Sequence, residues 1–194
     1  NGSTGSSGDA RGWWLVQAGN SLTLTGVTLD GEGHNIYQAV RSFGNLAVSD
    51  SVIKNMVYPG YQGTGLWVDA ADATISNNSF SGIGRMGVAL FAGTSTVQNN
   101  TFIGNGEGDS VEYGVEVEEG ADVTISGNTF AEYQGIASSD GSGSGAILVS
   151  SYFGPNSFAT ITNNTISNSL YGVLIGYLDD DSSGATIQNN TFQY

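Results

Sequence analysis

An eight-residue motif recurs along this chain, and its period restricts the folds that the sequence can adopt. The five clear copies are ATISNNSF (73–80), STVQNNTF (95–102), VTISGNTF (123–130), ATITNNTI (159–166) and ATIQNNTF (185–192). Two weaker copies lie upstream, at residues 22–29 and 46–53. The central aliphatic residues of the seven copies are 24, 27, 22, 28, 36 and 26 residues apart. A period of this size without helical patterning predicts a solenoid of about seven coils, in which each coil covers the core of the next.

The alternation inside each copy predicts which side chains face the core. In a strand, successive side chains point to opposite faces, so Ile75 and Phe80 are expected to point inward and Thr74 outward. The Asn pair must then turn a corner. The second Asn recurs in five coils, and stacked amides can hydrogen-bond one another along such a column. The sequence predicts a structural asparagine ladder of Asn78, Asn100, Asn128, Asn164 and Asn190.

A second apolar segment precedes each motif, as in GLWVD (65–69), GVALFA (87–92) and GVEVEE (114–119), so each coil contains at least two strands. The chain here resembles the right-handed parallel β-helix family, the pectate-lyase-like solenoids with many short β-helix repeats. The resemblance covers residues 12–194 and implies an all-β fold, a right-handed parallel β-helix of about seven coils in a single domain. Residues 1–11 lack periodicity and are predicted to be a flexible N-terminal linker or an expression remnant.

The composition excludes some partners and favours a location. Eighteen acidic residues against four Lys and Arg give a formal charge of −14, which disfavours nucleic acid because phosphate binding needs clustered cations. The same charge disfavours an anionic polysaccharide unless calcium bridges the two. No apolar run reaches the roughly 20 residues of a membrane span, so no membrane insertion is expected. Acidity with scarce lysine is common in secreted proteins of saline habitats, where it maintains solubility, and we expect an extracellular or cell-surface location.

Acidic residues follow the upstream strand in three coils, where loop carboxylates could bind calcium together with backbone carbonyls. A solvated acidic turn is the simpler interpretation, because the chain lacks a DxDxDG-type loop. No cofactor is otherwise expected. The candidate calcium ligands are Asp69, Asp72, Glu118, Glu119, Asp122, Asp179, Asp180 and Asp181.

The resemblance also raises an enzymatic alternative, because the superfamily is rich in polysaccharide lyases and glycoside hydrolases. The polygalacturonase-like segments NTD, DD, GHG and RIK are not reproduced: only the DD at Asp179 and Asp180 is present. A lyase needs a base and a cation that neutralises the substrate carboxylate. The set that could supply them is Asp50, Lys54, Tyr58 and Arg85, with Arg41 as an alternative cation.

The upstream strands predict a partly apolar outer face. If the residue after each Gly points inward, one outward column contains Trp67, Ala89, Glu116, Ile147 and Leu174, and the next contains Asp69, Phe91, Glu118, Val149 and Gly176. Such a stripe indicates a covering segment, a partner or a platform on which sugars stack, unless a one-residue register shift turns it inward. The candidate ligand-binding residues are Trp67, Asp69, Phe91, Glu116 and Glu118.

The other strand carries outward Thr columns that resemble those of ice-binding solenoids, although Ala47 interrupts one column. No capping helix is evident at either end. We therefore expect end-to-end self-association through open rungs, unless the chain is a segment of a longer surface protein or a loop such as Trp13-Trp14 covers the opening. The sequence thus favours a non-catalytic extracellular surface module, structural or adhesive, that contacts carbohydrate or neighbouring protein subunits. A lyase or hydrolase is the main alternative, and ice binding is a minor one.

Overall fold

The computed structural model describes residues 12–60, 62–177 and 179–194, and the predicted linker at residues 1–11 lies outside them. The described residues form strands without a helix, so none of them belongs to a helix that could span a membrane. In chain order the strands are β1 (Trp14–Val16), β2 (Ser21–Thr25), β3 (Thr28–Asp30), β4 (Gln38–Ser42), β5 (Asn45–Ser49), β6 (Val52–Met56), β7 (Thr64–Asp69), β8 (Ala73–Ser76), β9 (Ser79–Ile83), β10 (Met86–Phe91), β11 (Thr94–Gln98), β12 (Thr101–Gly106), β13 (Tyr113–Glu118), β14 (Asp122–Ser126), β15 (Thr129–Tyr133), β16 (Gly145–Val149), β17 (Phe158–Thr162), β18 (Thr165–Ser167), β19 (Tyr171–Ile175), β20 (Gly184–Gln188) and β21 (Thr191–Gln193).

The strands stack into three parallel seven-stranded sheets, which confirms the predicted solenoid of seven coils. Sheet A contains β1, β4, β7, β10, β13, β16 and β19; sheet B contains β2, β5, β8, β11, β14, β17 and β20; sheet C contains β3, β6, β9, β12, β15, β18 and β21. Each coil therefore has three strands, one more than the minimum predicted. The extra strand arises because a two-residue corner, an Asn pair in four of the coils, divides each motif, leaving its first half in sheet B and its last two residues in sheet C.

The asparagine ladder forms at the corner between sheets B and C. Asn100 is representative: its backbone N–H and its Nδ2 both donate to Oδ1 of Asn128, at 2.8 and 3.0 Å, and Nδ2 also donates to the Ile75 carbonyl at 3.0 Å. The same pattern links Asn78 to Asn100, Asn128 to Asn164, and Asn164 to Asn190. Ser51 extends the column by one coil, since its N–H donates to Asn78 Oδ1 at 3.0 Å.

The first residue of each Asn pair has a different task from the second. Asn77, Asn99, Asn163 and Asn189 adopt positive φ angles of 55–58°, and Gly127 and Asp50 take the same place in two other coils. Asn and Asp tolerate this left-handed conformation better than other non-glycine residues. The corner thus needs one residue for backbone geometry and one for the buried ladder.

The core side chains stack in columns that run from coil to coil. Coil by coil, the size of the residue in one column of sheet C is matched to the size of the residue that faces it in sheet A. In sheet C, Phe80, Phe102 and Phe130 stack with ring centroids 4.6 and 4.8 Å apart. The strand of sheet A in the same coil then carries Gly, because a Cβ at Gly114 would lie 2.8 Å from the Phe130 ring. Where sheet C has the smaller Ile53 or Ile166, sheet A instead has Ala39 or Ala146.

The two ends of the described solenoid differ in how well their core residues are covered. In the first coil, Leu24 and Leu29 are only 7% and 4% exposed. In the last coil, Ile187 and Phe192 are 42% and 53% exposed. The predicted end-to-end contact remains a prediction, and the exposed apolar surface available for it lies on the last coil.

We predict that the ladder contributes strongly to stability. Asn100→Leu removes the amide that joins three coils and leaves buried backbone groups unpaired, which should lower the free energy of unfolding by about 1–3 kcal/mol. Thermal and urea unfolding measure the effect. The control is Asn99→Gly, which keeps the left-handed corner at an exposed position outside the ladder. Equal stability of the two variants would contradict the role of the ladder.

A second prediction concerns the matched columns. Gly114→Ala should destabilise the fold by about 1–3 kcal/mol, because the new Cβ meets the Phe130 ring at 2.8 Å and the Ala146 carbonyl oxygen at 2.7 Å. Adding Phe130→Ile recreates the Ala–Ile pair of the next coil and should recover part of this loss. A double-mutant cycle measures the coupling, which we expect to be favourable by about 1 kcal/mol. Strictly additive changes would show that the two columns do not constrain each other.

Candidate functional site

The outward face of sheet A carries the predicted columns, with one correction. Trp67, Ala89 and Glu116 pair in register, as do Asp69, Phe91 and Glu118. In β16, however, the assignment of Ile147 and Val149 to this face is wrong: both belong to the hydrophobic core, and Leu148 pairs with Glu116. The reason is that Gly145 pairs with Tyr113, so Ala146 takes the place of Gly114 and the strand is displaced by one residue.

Loops on both edges of sheet A rise above this face and enclose a groove of about 730 Å³. Residues 134–144 precede β16 and residues 151–157 follow it, so the two loops flank opposite ends of the same strand. The first loop is tied down by Asp109, whose carboxylate accepts hydrogen bonds from the backbone N–H and Oγ of Ser138, at 2.6 and 2.8 Å. The groove is therefore built by insertions on a regular sheet.

A row of aromatic rings runs across the floor and one wall of the groove. Trp67 stacks on Phe91 with centroids 4.2 Å apart, and Phe91 meets the edge of Phe153 at 5.5 Å. The row continues from Phe153 to Tyr152 at 4.8 Å and from Tyr152 to Tyr177 at 4.6 Å. Phe91 points outward but is only 2% exposed, since the 151–157 loop covers it, whereas the last three rings are about half exposed.

Sequence reasoning missed Tyr152, Phe153 and Tyr177. The signal that could have found them is the SYFGP segment (151–155), which places two adjacent aromatic residues in an insertion between a strand and the next motif. Insertions in a solenoid form loops on its surface, where paired aromatics need a partner or a ligand to cover them.

Two glutamates on β13 lie beneath the groove. Glu118 is fully buried; its carboxylate accepts a hydrogen bond from Ser150 Oγ and a longer one, at 3.4 Å, from the Phe153 N–H. Glu116 is 4% exposed, and its Oε2 has no hydrogen-bond partner among the described residues. Burial raises the pKa of Glu116 to about 7, although the nearby charge of Arg85 opposes the shift. Burial also raises the pKa of Glu118.

The residues proposed for a lyase do not come together. Asp50 lies at the corner between β5 and β6, and Lys54 forms an ion pair with Asp30 at 3.0 Å on sheet C. Tyr58 packs against the edge of the Tyr37 ring, at 5.2 Å. Of the four, Arg85 lines the groove, where its Nη1 donates to the Val111 carbonyl at 2.8 Å and its guanidinium lies 5.3 Å from the Tyr113 ring.

The alternative cation for a lyase, Arg41, belongs to the same outward column as Trp67. Its guanidinium lies 5.5 Å from the Trp67 ring and 4.8 Å from the Phe43 ring. Arg41 therefore supports one end of the aromatic row, on sheet A, whereas Lys54 lies on sheet C.

Three of the candidate calcium ligands, Asp72, Glu118 and Asp181, accept hydrogen bonds from the protein. Asp72 accepts a hydrogen bond from the Thr94 N–H at 2.9 Å. Partial burial raises the pKa of Asp181, but hydrogen bonds from Ser151 and Ser183 outweigh this effect and lower the pKa to about 2. Within the described ranges, no group of three or more His, Asp or Glu residues is arranged to hold a metal ion. Calcium binding therefore stays a prediction.

On sheet B the outward Thr columns pair in the predicted register, from Thr74 through Thr96 and Thr124 to Thr160. Ala47 interrupts this column between Thr23 and Thr74, and Gln98 interrupts the neighbouring one. The face is therefore regular in spacing but mixed in side chains, and ice binding remains a prediction.

A family model described as "Right handed beta helix region" matches residues 15–192, which is nearly the whole of the described chain. The chain belongs to the right-handed β-helix family. Comparison with curated proteins and with solved structures gives no significant match. Membership of the right-handed β-helix family establishes the architecture but not the function, for which the groove over sheet A is the candidate site.

The buried position of Glu116 predicts a pH-dependent stability. Its pKa is about 7 in the folded chain against 4.5 for an ordinary Glu, so the folded state holds the proton more tightly. This difference adds about 3 kcal/mol to the free energy of unfolding when Glu116 is protonated. The contribution is complete below pH 4.5 and is lost as the pH rises through 7. Urea unfolding between pH 4 and 8 measures this loss. Glu116→Gln should flatten the profile but not level it, because burial raises the pKa of Glu118 and Glu112 in the same direction. An unchanged slope in Glu116→Gln would contradict this assignment.

Proposed function

We propose that this right-handed β-helix is an extracellular binding module that holds a carbohydrate chain in the groove over sheet A. The observation that supports the proposal is the row of aromatic rings that ends in three half-exposed rings beside buried carboxylates. Aromatic faces pack well against the C–H groups of sugar rings, and fixed polar groups hold their hydroxyls. This agrees with the sequence-based expectation of a surface module that contacts carbohydrate.

The polar groups that line the groove suit such a ligand. They include the hydroxyls of Thr64, Ser110 and Ser142 and the side-chain amides of Gln38 and Gln62. Sugar hydroxyls both donate and accept hydrogen bonds, and hydroxyl and amide groups can satisfy either need. A carbohydrate could therefore pair its polar edge with these groups while its apolar face rests on the aromatic rings.

Glycoside hydrolysis is the second candidate, and it rests on Glu116 and Glu118. Both point outward from β13 two residues apart, which places their Cα atoms roughly 6.6 Å from each other. Inverting hydrolases hold their two carboxyl groups about 6.5–9.5 Å apart, a separation that two glutamate side chains at this Cα spacing can adopt, and a Glu with a pKa of about 7 can act as a general acid. Binding is preferred, because Glu118 is buried and hydrogen-bonded to Ser150 instead of facing open solvent.

Aromatic substitutions test the binding proposal. Array screening first identifies a glycan that the chain binds. Trp67→Ser and Tyr152→Ser should each weaken its binding by about tenfold or more, as measured by calorimetry. Tyr152 is 53% exposed, so its replacement should leave the melting temperature nearly unchanged. The matched control is Phe158→Ser, because Phe158 is also 53% exposed but lies on sheet B, away from the groove. Absence of binding to every neutral, acidic and basic glycan would refute the proposal.

A reducing-end assay on the bound glycan separates binding from hydrolysis. Release of reducing ends by the natural chain and its loss in Glu116→Gln would establish the second candidate. Binding without any release would leave the chain as a binding module.

A further inference from the structure

We propose that the groove recognises a primary amine, so that its ligand is an amino sugar whose ammonium group pairs with the Glu116 carboxylate. This inference rests on the proposed carbohydrate-binding function and narrows it to one class of sugar. It follows from three observations: the balance of charge around the groove, the unpaired carboxylate beneath it, and the aromatic rings beside that carboxylate.

The charged side chains that line the groove are mostly acidic. Asp109, Glu116, Glu118 and Asp140 contribute carboxylates, against the single guanidinium of Arg85. The whole chain carries a formal charge of −14, and a cleft lined by one sign of charge concentrates ligands of the opposite sign. A uronic acid would be repelled by this groove, and a protonated amine would be attracted.

Glu116 supplies the specific partner. Its Oε2 is buried without a hydrogen-bond partner among the described residues, and its side chain lines the groove. Arg85 is near enough to influence Glu116 electrostatically, but its guanidinium is bonded to the Val111 carbonyl and lies over the Tyr113 ring. Burial of a carboxylate that keeps an unpaired oxygen is unfavourable, and a ligand ammonium reduces that penalty while donating to the unpaired oxygen.

The Glu116 side chain lines the groove, so an ammonium meets its carboxylate when the terminal torsion turns an oxygen toward the ligand. That torsion is broad and roughly two-fold in Glu, so the rotation itself needs no backbone change. The charged and titratable groups that interact with Glu116 are Arg85, Glu118 and Tyr113, which line the same groove. None of these groups supplies a second cation that would compete with the ligand. Arg41 lies further along the same outward column, over the Trp67 and Phe43 rings.

The aromatic row completes the site for a cationic sugar. The π faces of Trp and Tyr attract ammonium groups and also pack against pyranose rings. Trp67, Tyr152 and Tyr177 line the groove together with Glu116, so one ligand can contact rings and carboxylate at once. A neutral N-acetylated sugar would keep the ring contacts and lose the charge pair.

The experiment compares three oligosaccharides of equal length by calorimetry at pH 6.5: fully deacetylated β-1,4-linked glucosamine, its N-acetylated counterpart, and α-1,4-linked galacturonate. We expect the deacetylated oligomer to bind at least tenfold more tightly than the acetylated one, and the galacturonate not to bind. Because the charge pair favours both the ionised form of Glu116 and the protonated form of the sugar amine, Glu116 releases protons on binding while the amine takes them up. The natural chain should therefore release more protons, or take up fewer, than Glu116→Gln, which titrations in buffers of different ionisation enthalpy detect.

Two variants of equal charge change show whether Glu116 is responsible. Glu116→Gln should reduce the affinity for the deacetylated oligomer to that of the acetylated one. Glu32→Gln removes one carboxylate from an exposed position that does not line the groove, and it should leave the affinity unchanged. Equal losses in the two variants would show non-specific charge attraction and would overturn the amine inference.

The remaining outcomes separate this inference from the proposed function. Equal binding of the acetylated and deacetylated oligomers would overturn amine recognition but support carbohydrate binding. Binding of calcium chloride alone, abolished by Glu116→Gln and accompanied by no affinity for the deacetylated oligomer, would also overturn it. Failure of all glycans to bind a chain that is folded by circular dichroism would contradict the proposed function as well.

Discussion

The structure depends on one constraint, which is that every coil must return to the same register at the corner between sheets B and C. The ladder from Ser51 to Asn190 enforces this register, because each Asn side chain bonds the backbone of the neighbouring coils and so pairs polar groups that are buried at the turn. A two-residue corner cannot absorb insertions. Differences in coil length therefore fall at the other two corners, which border sheet A, and the groove is built from those insertions.

The fold could be predicted because the ladder and the alternation are local features of the motif. The wrong register predicted for β16 shows what the local sequence pattern does not contain. The sequence pattern predicts Gly145 as the equivalent of Gly114, whereas the structural equivalent is Ala146, which faces the smaller Ile166 of its own coil. The register of β16 is therefore set by the volume of the side chain that Ala146 packs against, which lies about twenty residues further along the chain. A one-residue shift in register moves every side chain of the strand to the opposite face of the sheet.

The candidate site was predictable only in part. The outward direction of Trp67, Phe91 and Glu116 follows from strand alternation, but the burial of Phe91 does not. It depends on Phe153, more than sixty residues further along the chain, and on a loop that has no repeat to reveal its position. The residues proposed for a lyase lie on different elements of the solenoid. Sequence spacing alone could not show this, because it does not tell which of the three sheets carries each residue.

Burying Glu116 and Glu118 under these loops is unfavourable for the isolated chain, and the architecture explains how the fold tolerates it. A solenoid gains its stability from stacked cores and ladders that run through all coils, so one coil can carry a locally unfavourable group. Glu118 is satisfied by Ser150, whereas Glu116 keeps an unpaired oxygen and a pKa of about 7. Groups whose burial shifts their pKa in this way are concentrated at functional sites. The unpaired carboxylate is therefore better explained by a ligand than by the needs of folding, for which an apolar residue such as the neighbouring Leu148 would be sufficient.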